Sequence, residues 1–327
     1  MLRGRRGRRS APDASSVRLP GPWQHRDVSA NGIRLHVAET GAPGAPLVVL
    51  LHGFPEFWWT WRRQLPALAE AGFRAVAVDL RGYGDSDKPP RGYDLWTLAG
   101  DVAGLIRALG EPTARVVGHG WGGMIGWTVT ALHPRLVAGL AVLGAPHPLA
   151  VRNAVVRDPG GQGRALLGRR GRVLAAQVPR RPERWLRTDE GAHVEQLMRQ
   201  RAGADWVGTD DFAVTVEGNR RAMQVAGVAH SALEYYRWAA RSQVRAEGRR
   251  FAAAVARLPT MPVLQVHGAD DPYLLAATAE ASRRWGGPQL RREVLPGTGH
   301  FPHAEQPAAT TSLLLDFLSQ QGDETGT

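Results

Sequence analysis

The stretch "ARVVGHGWGGMIGW", residues 114–127, carries the reading of this chain. Its first part, "ARVVGH", is an apolar run of strand length. The second part, "WGGMIGWTVTALHP" (121–134), has helical pattern and stops near Pro134. Glycines crowd the junction. Gly118 and Gly122 flank Gly120 two residues before and two residues after. A strand that turns sharply into a helix through small residues presents the residue at its tip to whatever lies above the sheet. Here the tip is Gly120, which has no side chain to present.

Working outward, the neighbouring segments alternate. "RDVSANGIRLHVAETG" (26–41) reads as a hairpin turning at Asn31-Gly32. "PLVVLLHG" (46–53) and "FRAVAVDL" (73–80) are continuous apolar runs that suit parallel strands buried on both faces. Helical patterns fall at 58–72, closed by Gly72, and at 93–110, closed by Gly110. "LVAGLAVLGAP" (136–146) is a further strand. The alternation then stops. Residues 147–258 are Arg-rich and helical in pattern, with "DPGGQGR" (158–164) as a flexible loop inside them. A strand returns at "MPVLQVHGADDP" (261–272), followed by a helix (276–285), "LRREVLP" (290–296) and "AATTSLLLDFLSQQ" (308–321). The fold class this implies is α/β, a mostly parallel, doubly wound sheet with an inserted helical cap. The expected division is a core of residues 23–146 and 259–321, a cap of 147–258, a disordered basic tail of 1–22 and a C-terminal tail of 322–327.

Composition bounds the chemistry. The 327 residues are 43% hydrophobic and 22% charged, an ordinary globular profile. There is no cysteine, which excludes disulfides, thiolate catalysis and cysteine-ligated zinc. The formal charge of +11 sits in the tail and the middle segment. Lys88 is the only lysine, so the Arg excess reads as codon usage and not as phosphate recognition, and no nucleic-acid partner is expected. No apolar run reaches the roughly 18 residues of a membrane span, and no apolar stretch follows the basic N-terminus as in a secretory signal. A cytoplasmic chain with a small-molecule substrate or ligand is therefore expected. The sequence assigns no oligomeric state.

Gly-His-Gly-Trp-Gly-Gly (118–123) has the form of a nucleophile elbow, in which a strained backbone holds one reactive side chain clear of the turn. The same glycines also satisfy G-x-G-x-x-G, the phosphate-binding turn of dinucleotide folds. Context opposes that alternative. The turn follows a later strand, and no Asp or Glu occurs between Glu111 and Asp158 to hold a ribose. Further on, Asp270 and Asp271 follow a strand, and His300 lies between a strand and the last helix. The order elbow, acid, histidine is that of an α/β-hydrolase fold. A histidine oriented by a buried carboxylate acts as a general base. His119 and His303 read as structural. No metal site is indicated, because the histidines lack clustered ligand spacing, and the chemistry calls for no cofactor.

With these motifs in place, the chain resembles the epoxide-hydrolase branch of the α/β-hydrolases over residues 24–320. The matching stretches are "HGFPEFWWTWR" (52–62), "DLRGYGDSDKP" (79–89), "VGHGWGG" (117–123), "ALEYYR" (232–237) and "GTGHFPHAEQP" (297–307). In that family an aspartate at the elbow attacks the epoxide carbon and forms an ester. A His–acid pair then activates water to hydrolyse it, while lid tyrosines protonate the opening oxygen. The resemblance implies His300 as base, Asp271 as acid with Asp270 as fallback, and Tyr236 as one lid tyrosine, with Tyr235 as packing. It also implies an oxyanion hole from the backbone N–H groups of Phe54 and Trp121, and a cis Phe54–Pro55 bond. Trp58, Trp59 and Trp121 are expected near the pocket, and Trp61 in the core.

Two departures stand out. Gly120 vacates the nucleophile position, and no Ser, Cys, Asp or Glu lies within the elbow to replace it. No tyrosine occurs between Tyr93 and Tyr235, where the family has its earlier lid tyrosine. The expected activity is that of an epoxide-hydrolase-like protein acting weakly or in altered form on a small epoxide or ester. The alternatives are a non-catalytic binder on the same scaffold and an epoxide hydrolase inactivated by an Asp-to-Gly change.

Overall fold

The computed structural model describes residues 11–168 and 173–320. Eight strands form one sheet: β1 (Gln24–Ala30), β2 (Ile33–Thr40), β3 (Leu47–Leu51), β4 (Arg74–Val78), β5 (Ala114–His119), β6 (Val137–Leu143), β7 (Val263–Gly268) and β8 (Leu290–Leu295). Their order is β1-β2-β4-β3-β5-β6-β7-β8. β1 and β2 pair antiparallel, as do β2 and β4, and every other neighbour pair is parallel. The hairpin turns where expected, with Asn31 at φ 47° and Gly32 at φ 77°, the two positive values a two-residue type I′ turn requires. β3 and β4 are buried at every residue, which is why their sequences run apolar without alternation.

Helices α1 (Gln64–Glu70), α2 (Leu95–Ala108) and α3 (Trp121–Leu132) cover the first half of the sheet. Asp94 caps α2 by accepting from the Thr97 N–H, and Gly110 ends its turn at φ 84°. The single helix expected over 58–72 is instead two pieces. Trp58–Trp61 is a 3₁₀ turn, separate from α1. Tertiary bonds hold it apart: the Trp58 N–H donates to Asp79 Oδ1 at 3.0 Å, and its indole N–H donates to the Val17 carbonyl at 2.9 Å.

That second bond also corrects the expected tail. Part of residues 11–22 packs on the core: Ala14 and Leu19 lie against it, Val17 is buried, and Arg18 bridges Asp85 and Asp27 at 2.5 and 2.6 Å. Residues 1–10 and 321–327 lie outside the described residues.

From Pro148 to Val255 the described residues form helices and no strand. His147 ties the two ends of this segment together, since its ring meets the Val255 carbonyl at 3.1 Å. The expected flexible loop at 158–164 is a π-type turn, Pro159–Gly163. Asp158 accepts from the Gly161 and Gln162 N–H groups at 2.8 and 3.0 Å. The Gln162 side chain points inward, donating to the Tyr273 carbonyl and accepting from the Leu275 N–H and the Thr278 hydroxyl.

Candidate active site

Gly120 sits between β5 and α3 at φ 51°, ψ −114°, a conformation that L side chains rarely adopt. Its N–H donates to the Leu143 carbonyl at 3.2 Å, and its carbonyl accepts from Met124 at 3.0 Å. The turn is therefore pinned from β6 and from the helix it starts. A Cβ on Gly122 would stand 2.1 Å from the Leu51 carbonyl oxygen, so α3 can approach β3 only through a glycine there. Gly120 is different. A Cβ built on it would meet nothing closer than Gly53 Cα at 3.6 Å and His300 Nε2 at 3.7 Å. The strand–turn–helix expected of the elbow is present, and the space for a side chain at Gly120 is open.

His300 follows β8, and Asp271 follows β7. The His300 Nδ1 lies 2.8 Å from Asp271 Oδ2. The other carboxylate oxygen accepts from the Tyr273 and Leu274 N–H groups at 2.8 and 3.0 Å. These bonds fix the tautomer: Nδ1 carries the proton toward the acid, and Nε2 faces Gly120 as the basic nitrogen. Burial would raise the Asp271 carboxyl, but His300, His267 and the Leu274 N–H together hold the acid below its usual range. Burial lowers the His300 imidazole, and Asp271 opposes that shift. Asp270, the fallback acid, is exposed, and among the described residues it makes only a backbone bond, from its N–H to the Thr298 carbonyl.

Phe54 and Trp121 stand on either side of Gly120. The Phe54–Pro55 bond is cis. Trp121 opens α3, so its N–H is one of the donors a helix start leaves without an intrahelical acceptor. Below them, one buried carboxylate joins three segments. Glu56 Oε2 accepts from the Gly53 N–H at 2.9 Å and meets His119 Nδ1 at 2.6 Å, while Oε1 meets His303 Nε2 at 3.0 Å. His119 Nε2 reaches the His300 carbonyl at 2.8 Å. Burial alone would raise the Glu56 carboxyl, but the two imidazoles hold it well below its usual range. His119 shifts the opposite way, raised by Glu56 against the effect of burial.

A cavity of about 470 Å³ opens above this arrangement. Gly120, Trp121, Phe54 and His300 line its base, and Leu149, Arg201 and Trp238 from the segment between Pro148 and Val255 line its walls. Tyr236 faces it, with its ring edge-on to Phe54 at 5.4 Å and to Trp121 at 5.2 Å. Tyr235 turns away and donates to the Arg81 carbonyl at 2.8 Å. Trp58, Trp59 and Trp61 do not line the cavity. Trp58 and Trp61 are core, and Trp59 stacks under Arg62 at 4.2 Å. Of the tryptophans expected near the pocket, the structure brings Trp121 there.

A family model of the alpha/beta hydrolase fold matches residues 46–307. The chain belongs to the α/β-hydrolase family. Epoxide hydrolase 3 of Xenopus tropicalis is 31% identical over 96% of this chain and 82% of its own length. Epoxide hydrolase A of Mycobacterium tuberculosis is 31% identical over 90% of this chain and 97% of its own. Among solved structures, an epoxide hydrolase from an endophytic Streptomyces superposes with a TM-score of 0.76 at 29% identity, covering 92% of this chain and 96% of that one. The chain is an α/β-hydrolase of the epoxide-hydrolase-like branch.

This α/β-hydrolase holds two residues in its cavity that its motifs did not announce. Tyr273, on the loop after Asp271, is buried with its ring edge-on to His300 at 5.0 Å. Burial pushes its phenol well above the ordinary value, and the adjacent Tyr236 phenol adds to the rise. Arg201 lies over the Tyr273 ring at 3.9 Å, and its backbone carbonyl accepts from the His300 N–H at 2.8 Å. A second phenol thus reaches the cavity from the acid loop. No periodicity marks it. The signal available was its position, two residues after the acid, beside a pocket short of one tyrosine.

Glu56, His119 and His303 also bring ligand atoms of three metal-ligating residues within 4.8 Å of one another, which their sequence spacing did not reveal. Hydrogen bonds close that group. Thr60 Oγ1 lies 2.7 Å from His303 Nε2, and both His119 nitrogens are engaged. A raised His119 paired to a carboxylate favours the proton over a metal ion.

Proposed function

We propose that the protein hydrolyses a small epoxide or activated ester by direct attack of water, without a covalent enzyme intermediate. The observation that carries this reading is the buried His300–Asp271 pair, intact at 2.8 Å, with its free nitrogen facing open space at Gly120. A water there gives its proton to His300 Nε2 and attacks the epoxide carbon. The ring C–O bond breaks, and the oxygen takes a proton from Tyr236 or Tyr273. The imidazolium then returns its proton to the phenolate. General-base assistance of this kind contributes about 10²–10⁴-fold, so turnover is slow compared with a covalent route. The helices from Pro148 to Val255 serve as the cap that shapes the substrate space, and the partner is a small molecule. The reaction requires no cofactor.

The paired test is turnover of an epoxide and ester panel by this chain and by its Gly120→Asp and His300→Ala variants. The expected result is weak hydrolysis by the parent and loss in His300→Ala. Turnover that survives His300→Ala would overturn the reading. The glycine itself favours a second reading, a ligand-binding protein on a hydrolase scaffold. That reading predicts binding of epoxides or diols with no turnover in the parent. Restoration by Gly120→Asp would then mark an epoxide hydrolase inactivated at one position.

A further inference from the structure

The space in front of Gly120 has the surroundings of a carboxylate site. It lies at the start of the 12-residue helix α3, where free N–H groups and the helix dipole favour an anion. A second, independent feature points into it. His300 is 2% exposed, and among the described residues its Nε2 has no hydrogen-bond partner while facing the position of the missing Cβ at 3.7 Å; as the basic nitrogen it accepts from a water whose other hydrogen is free to donate to a carboxylate beside it. The buried guanidinium-bearing Arg201 lines the same cavity. The anions nearby are already engaged. Asp271 lies on the far nitrogen of His300, and Glu56 is paired with His119 and His303. The backbone holds φ 51°, ψ −114° although glycine is free to leave it, so the elbow still aims this space at the cavity.

We propose that a free small carboxylate enters the vacated elbow and serves as a dissociable nucleophile for the epoxide. This rests on the reading of the cavity as an epoxide site. One carboxylate oxygen forms a bond to an epoxide carbon, and the ring C–O bond breaks with its electron pair on oxygen. That oxygen takes a proton from Tyr236 or Tyr273. The product is a glycol monoester bound to the site by no covalent link to the protein. Water then gives its proton to His300 Nε2 and adds to the ester carbonyl. The acyl–oxygen bond breaks, and the leaving alkoxide takes the proton from the imidazolium. The carboxylic acid returns its proton to the phenolate. The sum is epoxide plus water giving diol, with the carboxylate regenerated.

Size selects the ligand. A bonded Cβ stands about 1.5 Å from its Cα, whereas a free methyl needs about 3.5–4 Å. A free carboxylate is therefore displaced outward by about 2 Å if it carries a methyl group in the Cβ place. Formate, which carries none, fits best; acetate follows, and pivalate is excluded.

The experiment uses the full chain with styrene oxide and sodium formate, acetate, pivalate or chloride at equal ionic strength. Diol formation should saturate with formate and exceed the chloride rate by about 10-fold or more, in the order formate, acetate, pivalate. With ¹⁸O-labelled formate, one label should appear in the diol, because the new C–O bond comes from formate and hydrolysis breaks the acyl side. His300→Ala should accumulate the monoester. Gly120→Ala should lose the formate effect, and the label experiment on the parent chain stands whether or not that variant folds. Unlabelled diol formed at a rate independent of formate overturns this inference and leaves the direct-water reading standing. No diol under any condition, with styrene oxide bound or unbound, overturns both.

Discussion

His300 and Gly120 face each other across an empty side-chain volume: the Nε2 of one stands 3.7 Å from where a Cβ of the other would lie. The proposed reaction uses that volume, with the turn on the glycine side and the buried His300–Asp271 pair on the other. The backbone of Gly120 is bonded to β6 and α3, and His300 is held by Asp271 and by the Arg201 carbonyl.

Gly120→Ala separates strain from crowding. The new methyl meets no atom closer than 3.6 Å, so its cost is the backbone conformation alone, about 1–3 kcal/mol. Gly122→Ala puts a methyl 2.1 Å from the Leu51 carbonyl oxygen and forces α3 off the sheet. Urea unfolding should show a modest drop in midpoint for the first at unchanged slope, and a much larger loss for the second. Equal losses would show that the elbow is not held by β6 and α3 as described.

The pH–rate profile should report His300. Burial lowers its imidazole and Asp271 raises it, with burial the larger effect. The basic form therefore persists below the ordinary histidine value, and hydrolysis should stay level through neutral pH before falling on an acid limb. Asp271→Asn removes the opposing effect, so the limb should move further toward acid. The rate itself should fall by about 10²–10⁴-fold, because the orienting acceptor for Nδ1–H is gone. A limb that moved toward alkaline pH would contradict the assignment.

Tyr236→Phe and Tyr273→Phe test whether the phenols act together. Each removes one hydroxyl from a residue that lines the cavity and leaves the ring in place. Losing a donor at such a position costs about 10²–10³ in kcat. Both variants should show losses in kcat without loss of fold by circular dichroism. A silent Tyr273→Phe would leave Tyr236 as the sole donor.

Acid stability should depend on His147. Its Nδ1 accepts from the Leu149 N–H at 3.2 Å, its Nε2 meets the Val255 carbonyl, and it stacks on Trp285. Burial pushes it down to about 3, so it stays neutral in the fold. The unfolded chain takes up this proton near pH 6.5 and the folded chain does not, so stability falls as pH drops below 6.5. The contribution is about 1.4 kcal/mol per pH unit. Between pH 6.5 and 5.5, chemical denaturation of the parent should lose stability more steeply than His147→Gln does.

The sheet, the elbow and the His–acid pair were legible because each writes a local pattern. Apolar runs mark β3 to β6, Gly118 and Gly122 mark a close approach, and Asp271 and His300 follow strands in a fixed order. Tyr273, Arg201 and Gln162 write none. Each acts through a side chain that crosses between segments far apart in the chain, and only the packed structure brings those segments together. The same holds for the tail. Residues 11–22 have a loop's composition, yet the Val17 carbonyl satisfies the Trp58 indole and Arg18 satisfies two acids. The break at Trp58–Trp61 was likewise hidden, because Asp79 on another strand end causes it.

Gln162 gives the last test, since it couples the helical segment to the loop that carries both Asp271 and Tyr273. Its amide donates to the Tyr273 carbonyl at 2.9 Å and accepts from the Leu275 N–H at 2.9 Å and the Thr278 hydroxyl at 2.7 Å. Gln162→Ala strips partners from three polar groups at once, two of them buried and the Leu275 N–H part-buried. Each unsatisfied group costs about 1–3 kcal/mol, less whatever water regains in the space left behind. The loop should loosen before the whole fold does, because Asp271 still accepts from the Tyr273 and Leu274 N–H groups on its own side. Hydrogen exchange should therefore rise at residues 272–278 well beyond the change in β7. Activity should fall with the loop, since His300 takes its orientation from Asp271. Unchanged exchange in that loop would mean that the π-type turn at Pro159–Gly163 does not support the acid.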